Sequence, residues 1–255
     1  MFERIGQDEG GKQEEHAGLP EGMIDYRVDI DSLKNALMDS LAFSEREARE
    51  VIYTMANLVY KMRERLPMYD MVIGDDASAR LVTRFMRTCI NDVRTAQALP
   101  RVKTRFVCGG NVENVDEVHT YIKNDIDLTC SRALFVTEYI LTGGGIQAVV
   151  DTLQQRGVAF DVAALSMKFA PYHVQNGVYL AEDGSDTDIH FYFGAQRDVG
   201  IVFYGNAANG VVKNPYTPHV QRDKFTYDEK MERGRKAMDM CAHEIVRKLV
   251  LSDDT

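Results

Sequence analysis

Residues 134 to 148 read LFVTEYILTGGGIQA, an apolar run broken by one carboxylate, Glu138, and closed by three glycines that lead into a helix-like stretch. Phe135 and Val136 read as strand, and Thr142 to Gly145 as a turn at a helix start, where bare backbone N–H groups suit an anion. Two readings stay open on the residues themselves. Gly143, Gly145 and Ala148 fit the G-x-G-x-x-A dinucleotide fingerprint. In that fold, however, the glycines follow the first strand almost directly, whereas here TEYILT intervenes and two strand units come before. The other reading takes acid and glycines together: Glu138 accepts from ribose hydroxyls while Thr142 to Gly145 wrap a phosphate. A Walker loop is excluded because no Gly-Lys-Ser/Thr follows.

Working outward, short apolar runs alternate with helical patterns from residue 68 to 166. The runs are Met71 to Ile73, Arg105 to Cys108, Ala133 to Val136 and Val158 to Leu165. Between them lie a helix carrying Leu81, Val82, Phe85, Met86 and Ile90, a polar helix to about Lys123, and a helix bearing Ile146, Val149, Val150 and Leu153. This alternation predicts an α/β fold with a parallel sheet flanked by helices. Right-handed crossovers then gather the strand C-termini, and any ligand, on one edge. The first run continues into GDDASAR, residues 74 to 80, a second loop on that edge.

The element order and the two loops resemble the type I phosphoribosyltransferases. Their signature is an apolar strand, two adjacent acids, two apolar residues, a variable position and Thr-Gly-Gly or a close variant. Laid on it, Glu138 matches the second acid, Tyr139 and Ile140 the apolar pair, and Thr142, Gly143, Gly144 and Gly145 the phosphate turn. Thr137 replaces the first acid, and Leu141 fills the variable position that in some members carries a catalytic acid. The resemblance implies Glu138 as the catalytic carboxylate, with Thr137 and Leu141 beside the substrate. It also implies that Asp75, Asp76, Ala77, Ser78 and Arg80 line the pyrophosphate of phosphoribosyl pyrophosphate. Ser78 and the amides would bind oxygens, and Arg80 is a suitable donor. Asp75, Asp76 and Glu138 would serve Mg²⁺, the two aspartates through water. An alternative for the pair is helix N-capping by Asp76 with Asp75 solvated. The implied activity is Mg²⁺-dependent transfer of ribose 5-phosphate to a nitrogenous base. With Thr137 and Leu141 neutral, a catalytically weak or inactive nucleotide or ribose-phosphate sensor stays open beside it.

The rest of the chain divides around this core. Residues 1–27 read as a disordered leader, and residues 28–67 as two amphipathic helices that cover the core or form a dimer surface, the second opening on a Ser44/Glu47 capping box. Residues 167–255 read as a small β-rich hood that completes the sheet, followed by a final helix from about Thr226. Tyr172, Tyr204 and Tyr216 are candidates to stack on an acceptor base. The net charge of -9 argues against nucleic acid or an anionic membrane as the main partner. The absence of a long apolar run reads as cytoplasmic, and the resemblance implies a homodimer or higher homo-oligomer. Cys89, Cys108, Cys130 and Cys241 form no CxxC pair and read as reduced, packed thiols.

Overall fold

A computed structural model describes residues 28–75, 79–107, 115–125, 128–141, 144–168, 174–175, 177–180, 186–196, 211–213, 220–222 and 228–252. The expected leader lies outside them, as do Asp76, Ala77, Ser78, Thr142, Gly143, Tyr172, Tyr204 and Tyr216.

The chain enters through α1 (Ile30–Leu41) and α2 (Glu45–Met62). Asp29 caps the first, its carboxylate accepting from the Ser32 amide. The capping box opens the second, with the Ser44 amide donating to Glu47 Oε2 at 2.8 Å and the Glu47 amide donating to Ser44 Oγ at 3.3 Å. The helix closes at Met62, earlier than Pro67 suggests, because that proline belongs to a separate 3-10 turn, Leu66–Met68.

The core then runs β1 (Met71–Asp75), α3 (Arg80–Ala96), β2 (Lys103–Val107), α4 (Val115–Asp125), β3 (Ala133–Ile140), α5 (Gly144–Gln155) and β4 (Phe160–Met167). Short strands β5 (Val174–Gln175) and β6 (Val178–Leu180) precede β7 (Asp186–Gln196). A ribbon of β8 (Val211–Lys213) and β9 (Val220–Arg222) stands outside the main sheet, and α6 (Asp228–Leu249) closes the chain.

The main sheet has the order β2-β1-β3-β4-β7-β6-β5. Its first five strands pair parallel, and β6 and β5 continue it antiparallel. The expected α/β architecture is therefore present, with one difference. The segment DIHFYFG, read as a hood hairpin, is mostly the fifth parallel strand, paired to β4 through Val162 and Phe191. Its alternation of aromatic and polar residues looks like a free hairpin, yet one side of it is buried against α2.

Both faces of the sheet are covered. Val72, Leu134, Val136, Ala163 and Leu165 pack against buried residues of α1, α2, α3 and α6. Met71, Ile73, Phe135, Phe160 and Val162 pack against Val118 and Ile122 of α4 and Ile146, Val149 and Leu153 of α5. Alternate residues of each strand thus go to opposite layers, as a period of two requires. The two N-terminal helices are part of the first layer and share a core with α6. Cys89 and Cys241 are buried free thiols, held well above and up to about 12 respectively by burial.

At the N-terminal end of the sheet, Asp161 is fully buried with 0% exposure. Its carboxylate accepts from Tyr69 Oη at 2.7 Å, Arg65 at 3.3 Å, Arg132 Nε at 3.1 Å and the His190 amide at 2.9 Å. Asp161→Asn would leave two guanidiniums facing a neutral amide, so we expect a loss of about 3–5 kcal/mol in urea denaturation. The same cluster sets an alkaline limit. Burial, reinforced by Asp161, keeps the Tyr69 phenol well above its ordinary value, and burial raises Tyr192 to about 12. The unfolded chain ionises its tyrosines near pH 10, so this stabilisation is complete below about pH 10 and is lost as pH rises toward the folded values. The urea midpoint should therefore fall between about pH 10 and 12, and Tyr69→Phe should flatten that fall.

Candidate functional site

β1 lies between β2 and β3, and the chain leaves the two middle strands in opposite directions. From β1 it passes through α3, in the first layer, to β2 on one side. From β3 it passes through α5, in the second layer, to β4 on the other side. The connections after β1 and β3 therefore diverge and open a crevice over the C-terminal ends of those two strands, the topological switch point where open α/β sheets bind ligands. Both loops singled out in the sequence, GDDASAR and TEYILTGGG, begin at this point.

The strands run further into the motifs than the sequence suggests. β1 includes Gly74 and Asp75, and β3 includes Thr137, Glu138, Tyr139 and Ile140. Asp75 is 5% exposed, and Thr137 is buried beside it on the neighbouring strand. The Thr137 hydroxyl donates to Asp75 Oδ2 at 3.3 Å. Asp75 is thus a buried, hydrogen-bonded carboxylate, unlike the solvated partner of a capping Asp76. The Ala79 amide donates to the Asp75 carbonyl at 3.0 Å.

Glu138 follows Thr137 directly and is 4% exposed. Alternation along β3 sends it to the opposite side of the strand, so Thr137 with Asp75 and Glu138 address different flanks of the crevice. Leu141, just past the strand, is 50% exposed. Gly144 and Gly145 form the first residues of α5, where first-turn amides have no partner within the helix. Arg80 opens α3, and its guanidinium sits 5.0 Å over the Phe106 ring, on the β2 side. Among the described residues, no three His, Cys, Asp or Glu side chains converge into a metal-binding group.

Gly74 is required by close packing. A Cβ there would stand 2.4 Å from Thr83 Oγ1 and 2.8 Å from the Phe106 ring, so α3 and β2 both press on this backbone. Sequence reading missed a further feature: Arg80, Arg84 and Arg87 recur at helical spacing on α3, a pattern visible in the sequence but indistinguishable there from a solvated face.

No protein-family model matches this chain, and no curated protein matches it. Among solved structures it is similar to a Helicobacter pylori xanthine-guanine-hypoxanthine phosphoribosyltransferase, at 18% identity over 54% of this chain and 84% of that one, with a TM-score of 0.33. So loose an overlap positions no side chain, and the site rests on this chain's own geometry.

Gly74→Ala should cost about 1–3 kcal/mol in urea denaturation, because packed Thr83 and Phe106 must both give way. A midpoint equal to wild type would show that the β1–α3 junction is looser than its contacts indicate.

Proposed function

We propose that this chain is a phosphoribosyltransferase-like protein that binds phosphoribosyl pyrophosphate or a nucleotide in the crevice between β1 and β3. The observation that carries the reading is the arrival of both loop motifs at one topological switch point, from two adjacent strands whose following helices diverge. A ribose phosphate needs a phosphate cradle and a hydroxyl acceptor a few ångströms apart. The start of α5 supplies the first through Thr142 to Gly145. Glu138, four residues before that turn, supplies the second, with Thr137 and Leu141 flanking it.

In the transfer reaction, pyrophosphate leaves while the anomeric carbon becomes oxocarbenium-like, so donors belong on the diphosphate and a carboxylate near the ribose. Ser78 and the amides of residues 76 to 78 take the diphosphate side, and Glu138 takes the ribose side. Mg²⁺, when bound, would neutralise the diphosphate and help it leave. The donors suit that ion only if it is held mainly by phosphate oxygens and water, with Asp75 and Asp76 as partners through water. Such an arrangement needs no three-carboxylate cage.

A second reading, binding without turnover, is favoured by one contact. Thr137 stands where an acid would be expected, and its hydroxyl is bonded to Asp75. Leu141 likewise offers no acid or base. Two assays on the full chain separate these outcomes. Phosphoribosyl pyrophosphate with Mg²⁺ should raise the melting temperature, and so should a nucleoside monophosphate. Pyrophosphate release with one of a panel of purines and pyrimidines would establish transfer, whereas a thermal shift without release would establish the sensor. Glu138→Ala should weaken the binding by about 1.5–3 kcal/mol. No shift with any phosphorylated ribose would remove both readings.

A further inference from the structure

Away from the crevice, a groove of about 210 Å³ runs along the flank of α3, between the edge strand β2 and α6. Its lining includes Arg80, Arg84 and Arg87 of α3 and Arg235 of α6, with Thr83 and Phe106 between them. Four guanidiniums therefore meet in one depression of a chain whose net charge is -9.

Among the described residues, Asp239 pairs with one of them. Arg84 grips Asp239 of α6 through Nε at 2.9 Å and Nη2 at 2.5 Å, and Thr88 donates to the same carboxylate at 3.0 Å. That bidentate pair belongs to the α3–α6 contact. Arg87 Nε is buried with no hydrogen-bond partner. Burial holds the Arg87 guanidinium below its ordinary range, and Arg84 and Arg101 add to the fall while Asp239 offsets part of it.

Arg87 leaves a buried N–H unpaired, and a row of like charges on one helix face costs stability. Both costs fall away when a ligand with several acceptor oxygens and several negative charges enters. Guanidiniums match phosphate oxygens in geometry and charge, and Arg is the usual residue for that task.

We infer that this groove is a second ligand site, built for a di- or triphosphate group and separate from the crevice. The separation follows from the sheet. The groove is walled by β2, α3 and α6 of the first layer, whereas the Thr137–Asp75 pair lies over the junction of β1 and β3. The phosphate chain could be free polyphosphate or the tail of a nucleotide, and the two present the same oxygens to the arginines.

Titration calorimetry on the full chain, with inorganic tripolyphosphate, ATP and sulfate without added metal, tests the inference. Tripolyphosphate should bind at least tenfold more tightly than sulfate, and the affinity should fall as salt is raised. The double variant Arg87→Gln/Arg235→Gln should lose at least tenfold of it. Ser78→Ala, on the diphosphate side of the crevice, should leave it unchanged, which separates this site from the crevice even if the crevice binds no ribose phosphate. Equal affinities for ATP and tripolyphosphate assign the groove to the phosphate chain alone, and tighter ATP assigns it to a nucleotide tail. Absence of binding, or unchanged affinity in the double variant, overturns the site. A several-fold loss of tripolyphosphate binding in Ser78→Ala also overturns it, because the anion would then be on the diphosphate side of the crevice.

Discussion

The Asp161 carboxylate is the constraint on which the arrangement of the strands depends. It is removed from water at the N-terminal end of β4, and burying a charge of that kind is tolerated only when donors surround it. Those donors come from three places in the chain: Arg65 and Tyr69 ahead of β1, Arg132 ahead of β3, and His190 in β7. Arg132 extends the network by donating to Asp188. One ion therefore pins the N-terminal ends of neighbouring strands into a single register, and no strand can slip without stranding it. Whether such a cluster adds net stability over an apolar one is a separate matter, since desolvation offsets much of the attraction. Its specificity follows from the geometry.

Locking one end of the sheet leaves the other end to vary. Beyond the C-terminal ends of β1 and β3, α3 and α5 lie on opposite faces. The crevice is thus a product of strand order rather than of any loop sequence, and the loops only furnish it with chemistry. Gly74 shows how tightly the two are coupled. The residue before the first loop must lack a side chain because Thr83 and Phe106 occupy the space it would need.

Much of this was legible in the chain itself. The alternation of apolar runs with helical faces gave the parallel sheet, since a strand buried on both sides reads as a continuous apolar run. The Ser44 capping box was local, and so was readable. Strand ends were harder. Thr137, Glu138 and Tyr139 look like the start of a loop because a carboxylate follows an apolar run, yet threonine and tyrosine suit strands and the register with β4 carries on through Tyr139 to Ile140. β7 was read as a hood because its partner, β4, is distant in sequence. The arginine row on α3 was visible as spacing, but its meaning depends on β2 and α6, which no local pattern reveals.

The contact between Thr137 and Asp75 bears on the character of the crevice more than any motif match. A second carboxylate at position 137 would sit beside Asp75 with both groups out of water, and like charges that close cannot both ionise cheaply. Threonine instead donates to Asp75, so the pair presents one negative charge, already partly satisfied. That lowers the repulsion felt by a polyanionic ligand, and it also removes an acid that could help hold Mg²⁺ or stabilise a cationic sugar. If the crevice takes a phosphorylated ribose as proposed, threonine at this position favours binding over transfer, and any transfer leans on Glu138 alone for the sugar.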